Sequence, residues 1–570
     1  MRVFLLLLLS VCCLVSAWAD DSRYAARSVL SSGMWMKIKV EQTGICKITY
    51  DDLRKMGFAD PSRVSVHGYG GWPLDEDFGP GAAYIDDLPP VAVYRGADYL
   101  LFYGKGPVKW EYSDYSGTFV HTNNPYATYG SYFLTDATEV KEMEKVSLLS
   151  GQAALNITVF DDYRVHEEEL YSVNNSGREL FGESFETAGS RTIPATSPIA
   201  RIEGITDADA KVTMRFIARP RSTDGQATLS IDGQELMQLN FPAITNSGNN
   251  SYIKAIDRID TATWRGEKNE APRVVVSYNK SGDENVRLDY IRLHVKRALR
   301  QYGGYTFFRS IQSIGNVSRF VVGNVDSQTV VFDVTGGEDP KLMETQLNGT
   351  ELSFSIPAGD LREFAAVQIN QSLSGWTREE TSIDNQNLHA CLQTDMVIIA
   401  ADAFHTQAER LAERHRADAR DSLSVLVVSP RQVYNEFSSG TPDATAYRRF
   451  MKMFYDRNEA KKPRYLLLFG DGSYDNRKLT NNWKEVVTTN MLLTYQSENS
   501  LSYYSYVTDD YFGALKDERF TSGPIQLGIG RFPVRTVAEA TAAVDKVVTY
   551  MDNKETGAWK NRICFVADDG

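Results

Sequence analysis

Tyr465-Leu466-Leu467-Leu468-Phe469 is an apolar run with no polar interruption, and it stops abruptly at Gly470-Asp471-Gly472-Ser473-Tyr474-Asp475. A run of this kind fits a strand buried on both faces, as in the middle of a parallel sheet. In open α/β sheets the carboxyl ends of the strands are where ligands and catalytic groups gather, so the Gly-Asp-Gly segment is a candidate active-site edge. A tight turn that needs Gly for positive φ and Asp for turn hydrogen bonds accounts for the same residues.

The surrounding sequence alternates as such a sheet requires. Asp395 to Ala401 reads as a buried strand, and Phe404 to Arg416 carries Phe404, Ala408, Leu411, Ala412 and His415 at helical spacing. Leu423 to Ser429 is the next strand. Thr441-Pro442 is expected to open a helix with a cap and a first-turn proline, turning Ala446, Phe450, Met453 and Phe454 inward. Thr536 and Glu539 form a capping box for a helix with Val537, Ala540, Val544, Val547 and Met551 on one line. Arg562 to Ala567 reads as one more buried strand. Residues 388–570 are therefore expected to form an α/β unit with a parallel sheet.

At 570 residues the chain is too long for one core. Its 30 Tyr and 26 Phe favour β-rich structure. Residues 20–150 read as a first β-rich domain, in which Trp35–Val40 is expected to pair with Gly44–Tyr50 and Asp51–Gly57 forms one capped helical turn. His67, beside the turn glycine Gly68, reads as structural. Residues 151–305 read as a β-sandwich or jelly roll, with Ala227–Ile231 running into a type I′ hairpin at Asp232-Gly233. The loop Ser176–Glu183 is expected to pack over one end of it. Residues 306–387 read as a small β-domain, with Thr329–Val334 and Glu351–Ile356 as strands, closed by a polar linker from Ser372 to Asn387.

Arg2, the apolar core through Val15 and Ala17-Trp18-Ala19 describe a cleavable secretory signal over residues 1–19. The net charge of −13 argues against a general nucleic-acid binder, which needs a basic face. Beyond the signal only Cys46, Cys391 and Cys564 remain, too few for a disulfide framework. There is no C-x-x-C, H-E-x-x-H, Walker A or GxGxxG motif.

Three acidic pairs fall after strands of the last region: Asp471 with Asp475, Asp509 with Asp510, and Asp568 with Asp569. At one sheet edge they could hold a hard cation such as calcium, or be solvated loop acids. All seven histidines lie at or before His415, so nothing from Arg416 to Gly570 supplies an imidazole. Cys564, between Ile563 and Phe565, reads as a small buried hydrophobe. No nucleophile–base pair of the kind a cysteine or serine hydrolase needs is evident there. The chain is expected to be the N-terminal portion of a longer protein, because Asp568-Asp569-Gly570 stops just past an apparent strand.

Val433 to Asp443, Tyr465 to Asp475, Thr508 to Gly513, Gly528 to Val534 and Trp559 to Arg562 stand in an order that resembles the gingipain-type peptidases serving as sortases of the type IX secretion system. The resemblance covers nearly the whole mature chain. It implies a caspase-like α/β peptidase behind several β-domains, in which a cysteine attacks the peptide carbonyl and a histidine handles the proton. It implies an enzyme at the outer-membrane cell surface of a Gram-negative bacterium, removing the C-terminal sorting domain of secreted cargo. Other outer-membrane secretion components would be partners, anionic lipopolysaccharide an acceptor for the new carboxyl end, and no cofactor required. The family's histidine and cysteine follow the strand expected to end at Ala567 and have no counterpart here. Its acidic residue that orients the histidine falls on Asp569, with Asp568 the one-residue-shifted option. The polypeptide alone is therefore expected to be inactive. The competing reading is a non-catalytic cell-surface binding or scaffold module of a secretion machine.

Overall fold

The Tyr465–Phe469 strand lies inside a four-stranded parallel sheet in the order Val425–Val428, Met396–Ala400, Tyr465–Phe469, Gly528–Phe532. The computed structural model of the chain describes residues 23–79, 84–187, 189–245, 248–373, 375–483, 490–516 and 524–566. Met396–Ala400 is buried along its whole length, as a strand covered on both faces must be. His405–Arg416 and Val537–Asp552 pack together, tied by Arg414 to Asp552 at 2.8 Å, and the Thr536–Glu539 capping box is present. Pro430–Phe437, a helix the sequence reading passed over, has its own capping box from Ser429 and Gln432 and packs on Ala444–Arg457. Among the described residues no helix is long and apolar enough to cross a membrane.

Ala446, Phe450, Met453 and Phe454 point inward as expected, but the cap of their helix is Asp443, which accepts from Thr445 N at 2.7 Å. Thr441 is spent elsewhere: its hydroxyl accepts from Ser131 N at 2.9 Å and donates to Gly70 O at 3.1 Å, across to the N-terminal β-module. Arg562–Val566 is no strand. Ile563, Cys564, Phe565 and Val566 are exposed, and among the described residues the edge strand Gly528–Phe532 pairs on one side alone. The expected buried strand and buried Cys564 are thus corrected: without a ladder partner, the apolar run has nothing to be buried against. Ala567 lies outside the described residues.

The β-modules show why local pairing misleads. Trp35–Val40 does not pair with Gly44–Thr49. It lies between Gly130–Thr135 and Thr377–Ile383, while Gly44–Thr49 joins Tyr99–Gly104. Both strands are almost wholly buried, and their side chains meet in one core around Ile38, Val40, Ile48, Phe102 and Leu134. A simple hairpin would have left one face of each in water. The polar stretch read as a linker therefore contains a strand, Thr377–Ile383, at the edge of that sheet. Its charges disguised it, yet charge is what an edge strand tolerates.

Residues 159–298 form the expected sandwich: two four-stranded antiparallel sheets over a core that includes Val212, Met214, Phe216, Val276 and Leu293. Asp232 and Gly233 adopt φ of 50° and 83°, as a type I′ turn requires. Leu155–Ile157 and Lys145–Val146 join the sheets built from residues 305–368.

One buried cluster clamps the first residues onto the parallel-sheet unit. His389 stacks on Phe437 at 4.7 Å, and its ring nitrogens meet Glu436 Oε2 at 2.6 Å and Asp86 Oδ1 at 3.2 Å. Burial opposes the imidazolium, but the two carboxylates together outweigh it and hold its pKa at about 9. A pKa raised on folding stabilises fully below the unfolded value near 6.5 and fades as pH rises through 9. His389→Gln should lower unfolding free energy by on the order of 3 kcal/mol at pH 6 and by far less at pH 9.5. Denaturant titrations at the two pH values check this; an equal loss at both would refute the charged latch.

Candidate functional site

The carboxyl edge of the parallel sheet is assembled around Arg531, on the edge strand Gly528–Phe532. Its guanidinium forks onto Asp509, Nε to Oδ2 at 2.8 Å and Nη2 to Oδ1 at 2.7 Å. The same group donates to Gly470 O at 3.1 Å, Asp471 O at 3.3 Å and Leu493 O at 3.1 Å. One side chain thus fixes the loop after the Tyr465–Phe469 strand, the 490–496 segment and the 508–513 turn relative to each other.

The glycines of the Gly-Asp-Gly loop are needed for close approach. Gly470 has φ +155°, and a Cβ there would fall 2.7 Å from Asn490 O. A Cβ on Gly472 would fall 2.4 Å from Thr494 Cγ2. Asp471 accepts from Gly472 N at 2.8 Å and pairs with Arg535 Nε at 2.5 Å. Asp475 is buried and accepts from Thr480 N at 2.7 Å; its Oδ1 has no partner among the described residues. Thr494 and Gln496 donate to the carbonyls of Ser473 and Tyr474, so the loop is pinned along its length.

The edge is also tied to the β-modules. Arg477 pairs with Glu169, Nη1 to Oε2 at 2.6 Å. Glu76 accepts from Arg178 Nη1 at 2.9 Å and from Tyr495 OH at 3.1 Å. The loop around Arg178 meets the sandwich as expected, Gly182 N donating to Leu288 O at 2.9 Å, and it also reaches the sheet edge: the Arg178 backbone N–H donates to Ser497 O at 2.9 Å, and Glu179 N donates to Ser500 Oγ at 2.9 Å. Gly177 permits that approach, since a Cβ would come within 2.4 Å of Asn499 O.

These contacts decide what the acids can do. Asp471 and Asp509 are taken up by arginines and Asp475 by a turn, so they are not arranged as a set of free oxygen ligands for calcium. Among the described residues the single group spaced for a metal is Asp87, His389 and Glu436. Its oxygens are already engaged: Glu436 accepts from Leu388 N and Gln386 Nε2, and Asp87 from Ser28 Oγ and Val29 N. That group shares His389 and Glu436 with the ion-pair clamp described above, in which Asp86 rather than Asp87 meets the imidazole. Asp568 and Asp569, the site residue the resemblance singles out, lie outside the described residues. His67 is buried, with ring nitrogens on Leu88 O at 3.0 Å and Thr138 Oγ1 at 2.8 Å, as a structural histidine. The sequence reading quoted Arg531 only within a motif and gave it no role. A lone arginine in a Gly-Arg-Phe strand carries no signal of the four segments it joins.

The family model of peptidase family C25 matches residues 389–570. The structure is similar to dimeric latent PorU from Porphyromonas gingivalis, with a TM-score of 0.86 and 36% identity over 95% of this chain. The chain spans about half of that protein's length, 51%. A carbohydrate-binding module from Cellvibrio mixtus lichenase 5A, 12% identical over 19% of this chain and 71% of its own, reaches a TM-score of only 0.14 and carries no argument. No curated protein sequence matches the chain. With the β-rich modules, the parallel sheet and its edge loop in place, the chain is a PorU-like protein whose residues 389–570 belong to peptidase family C25.

Proposed function

We propose that this protein serves a type IX secretion system as a C-terminal signal peptidase, a gingipain-type cysteine endopeptidase that removes the sorting domain of exported cargo at the cell surface. The observation that carries the reading is the likeness to PorU across all the modules together, since the C25 domain alone would suit many peptidases. The segment 1–19 would export the chain, and cargo, outer-membrane secretion components and an anionic lipopolysaccharide acceptor would be its partners. An acyl-enzyme accommodates both outcomes, hydrolysis by water and transfer to an amine.

Within this reading, residues 1–570 build the frame of the cleft. The Arg531–Asp509 fork and the pinned Gly470–Asp475 loop give it a rigid wall. Residues 416–570 contain no histidine, and Cys564 is exposed on a segment without secondary structure, so no dyad is available there. The same lack is what favours the second reading, a non-catalytic surface scaffold.

One measurement tests the division of labour and a second separates the two readings. The purified 570-residue chain should leave a cargo protein with its sorting domain uncut; measurable cleavage would overturn the division of labour proposed here. In cells, Asp569→Asn should slow cargo processing by on the order of a hundredfold or more, because a misoriented imidazole loses its role as base. Arg531→Met should also slow processing, by loosening the wall. Unchanged processing with Asp569→Asn would favour the scaffold.

A further inference from the structure

A cleft of about 840 Å³ opens where the N-terminal module, the sandwich, the 305–368 module and the helix bearing Arg449 come together. It lies apart from the parallel-sheet edge, and none of the contacts that shape that edge line it. Two of its features have no structural explanation among the described residues.

The first is Lys105. Its side chain lines the cleft and the residue is only 5% exposed, yet among the described residues its ammonium has neither a hydrogen-bond acceptor nor an ion pair. Its backbone is fixed, N donating to Tyr132 OH at 2.8 Å and O accepting from Gly71 N at 3.0 Å. The ammonium sits 4.7 Å from the ring centre of Trp72, whose indole N–H is buried without an acceptor. The turn at Gly337 (φ +71°) closes over both: a Cβ there would lie 3.1 Å from Lys105 Cδ and 3.0 Å from Trp72. Burial pushes the lysine's pKa down to about 8, against the weaker opposing pull of Glu338 at the rim. A buried charge without a hydrogen-bonded acceptor is costly, and an anion placed beside it would reduce that cost.

The second is the strand Val108–Ser113. It forms a two-stranded ribbon with Thr118–Asn123 and, among the described residues, has no ladder partner on its other side. Residues 107 to 112 line the cleft without a break. Successive side chains of a strand point to opposite faces, so an unbroken lining means that the strand offers the cleft its edge, with its free N–H and C=O groups. An open edge is a template for another extended chain.

The charges around the cleft differ between its rim and its interior. Glu41, Asp75, Glu111 and Glu338 are exposed at its rim, Glu111 pairs with Lys109 at 2.8 Å, and Glu363 is held by Arg309 and Tyr163. The unpaired charge inside is positive. The aromatic surfaces suit a peptide better than a sugar: Trp110 already stacks on Tyr163 at 4.2 Å, and a face of Trp72 carries Lys105.

We propose that this cleft is a binding site for an extended peptide segment that adds to the open edge of Val108–Ser113 and places a carboxylate against Lys105. The carboxylate belongs to an acidic side chain or to a chain terminus. The site stands independently of the peptidase reading.

The test uses the purified chain and four probes followed by calorimetry. Three are seven-residue peptides of alternating valine and threonine: one with a central glutamate and blocked ends, one with glutamine and a free carboxyl terminus, one with glutamine and blocked ends. The fourth is tetragalacturonate. At least one of the two acidic peptides should bind tenfold or more tightly than the neutral one, and which of them does so identifies the source of the carboxylate. Lys105→Gln should abolish that difference and Lys105→Arg should keep most of it. Hydrogen exchange of the amides of residues 108–113 should slow on binding, a readout that does not depend on any variant folding. No binding by either acidic peptide at 1 mM, equal binding of charged and neutral peptides, unaltered exchange, or binding of the galacturonate alone would each overturn the proposal.

Discussion

The helix Ala444–Arg457 has no solvent face from Ala444 to Phe454, and the arrangement of the modules depends on that burial. A helix on an α/β sheet ordinarily buries one stripe and shows the other to water. Here the outward stripe carries Arg448, Arg449 and Lys452, and it is covered by the N-terminal β-module. Arg448 donates to Ala514 O at 2.6 Å and to Glu76 O at 2.7 Å, with its guanidinium 4.1 Å from the Phe78 ring centre. The loop before the helix reaches the same way. Ser439, at φ 54°, accepts from Tyr69 N and donates to Ser131 O, and Lys37 donates to Gly440 O at 2.7 Å. Gly68 leaves the room, since a Cβ there would meet Ser439 Oγ at 2.4 Å. Each bond satisfies a polar group that the contact itself has dried, which lets two polar surfaces behave as one interior.

The rigidity of the sheet edge follows from the same joint. Glu76 reaches Arg448 through its carbonyl and Tyr495 and Arg178 through its carboxylate, so the first module, the sandwich loop and the 495–500 segment meet at one residue. From Tyr495 the chain passes to Gln496, which holds the carbonyls of the Gly470–Asp475 loop. The candidate site is thus braced from the β-modules as well as from its own sheet. A C25 domain cut free at residue 389 would lose Glu76 and Glu169, two of the supports for that edge.

What the sequence made legible is what depends on one segment at a time. The parallel strands, the Thr536–Glu539 capping box, the Asp232-Gly233 turn and the inward line of Ala446, Phe450, Met453 and Phe454 each obey a local rule, and each is found. Apart from the short helix Pro430–Phe437, whose capping box is a local signal that was passed over, the failures are cases where a distant segment decides. Trp35–Val40 leaves its sequence neighbour for a strand more than 300 residues away, and that strand looked like linker because an edge tolerates charge. Thr441 has the form of a cap but is bonded across a module boundary, so Asp443 takes the role. Arg531 was visible only as part of a motif, because its function is to join four segments that pattern cannot bring together. The apolar run at Arg562–Val566 shows the limit from the other side: composition proposes a strand, but only a neighbour can make one.

The chain is acidic, at −13, yet its interior joints are made with cations. Arg448 rests on carbonyls and aromatic rings, Arg449 on the Tyr84 ring and Ile85 O, and Lys37 on Gly440 O and Glu379. The asymmetry has a physical reason. An arginine or lysine carries its charge on a long apolar stem, so it can cross an interface and deliver donors to carbonyls that a loop leaves open. A carboxylate is shorter, accepts only, and has no use for another carbonyl. At these joints the cations meet carbonyls, while the buried acids Glu436 and Asp443 meet backbone N–H groups. Against that pattern Lys105 stands apart, because it has the burial of the others without their acceptors. A joint that is complete within the chain holds two modules together. One that lacks its acceptor, beside an open strand edge, is built to be completed by something from outside.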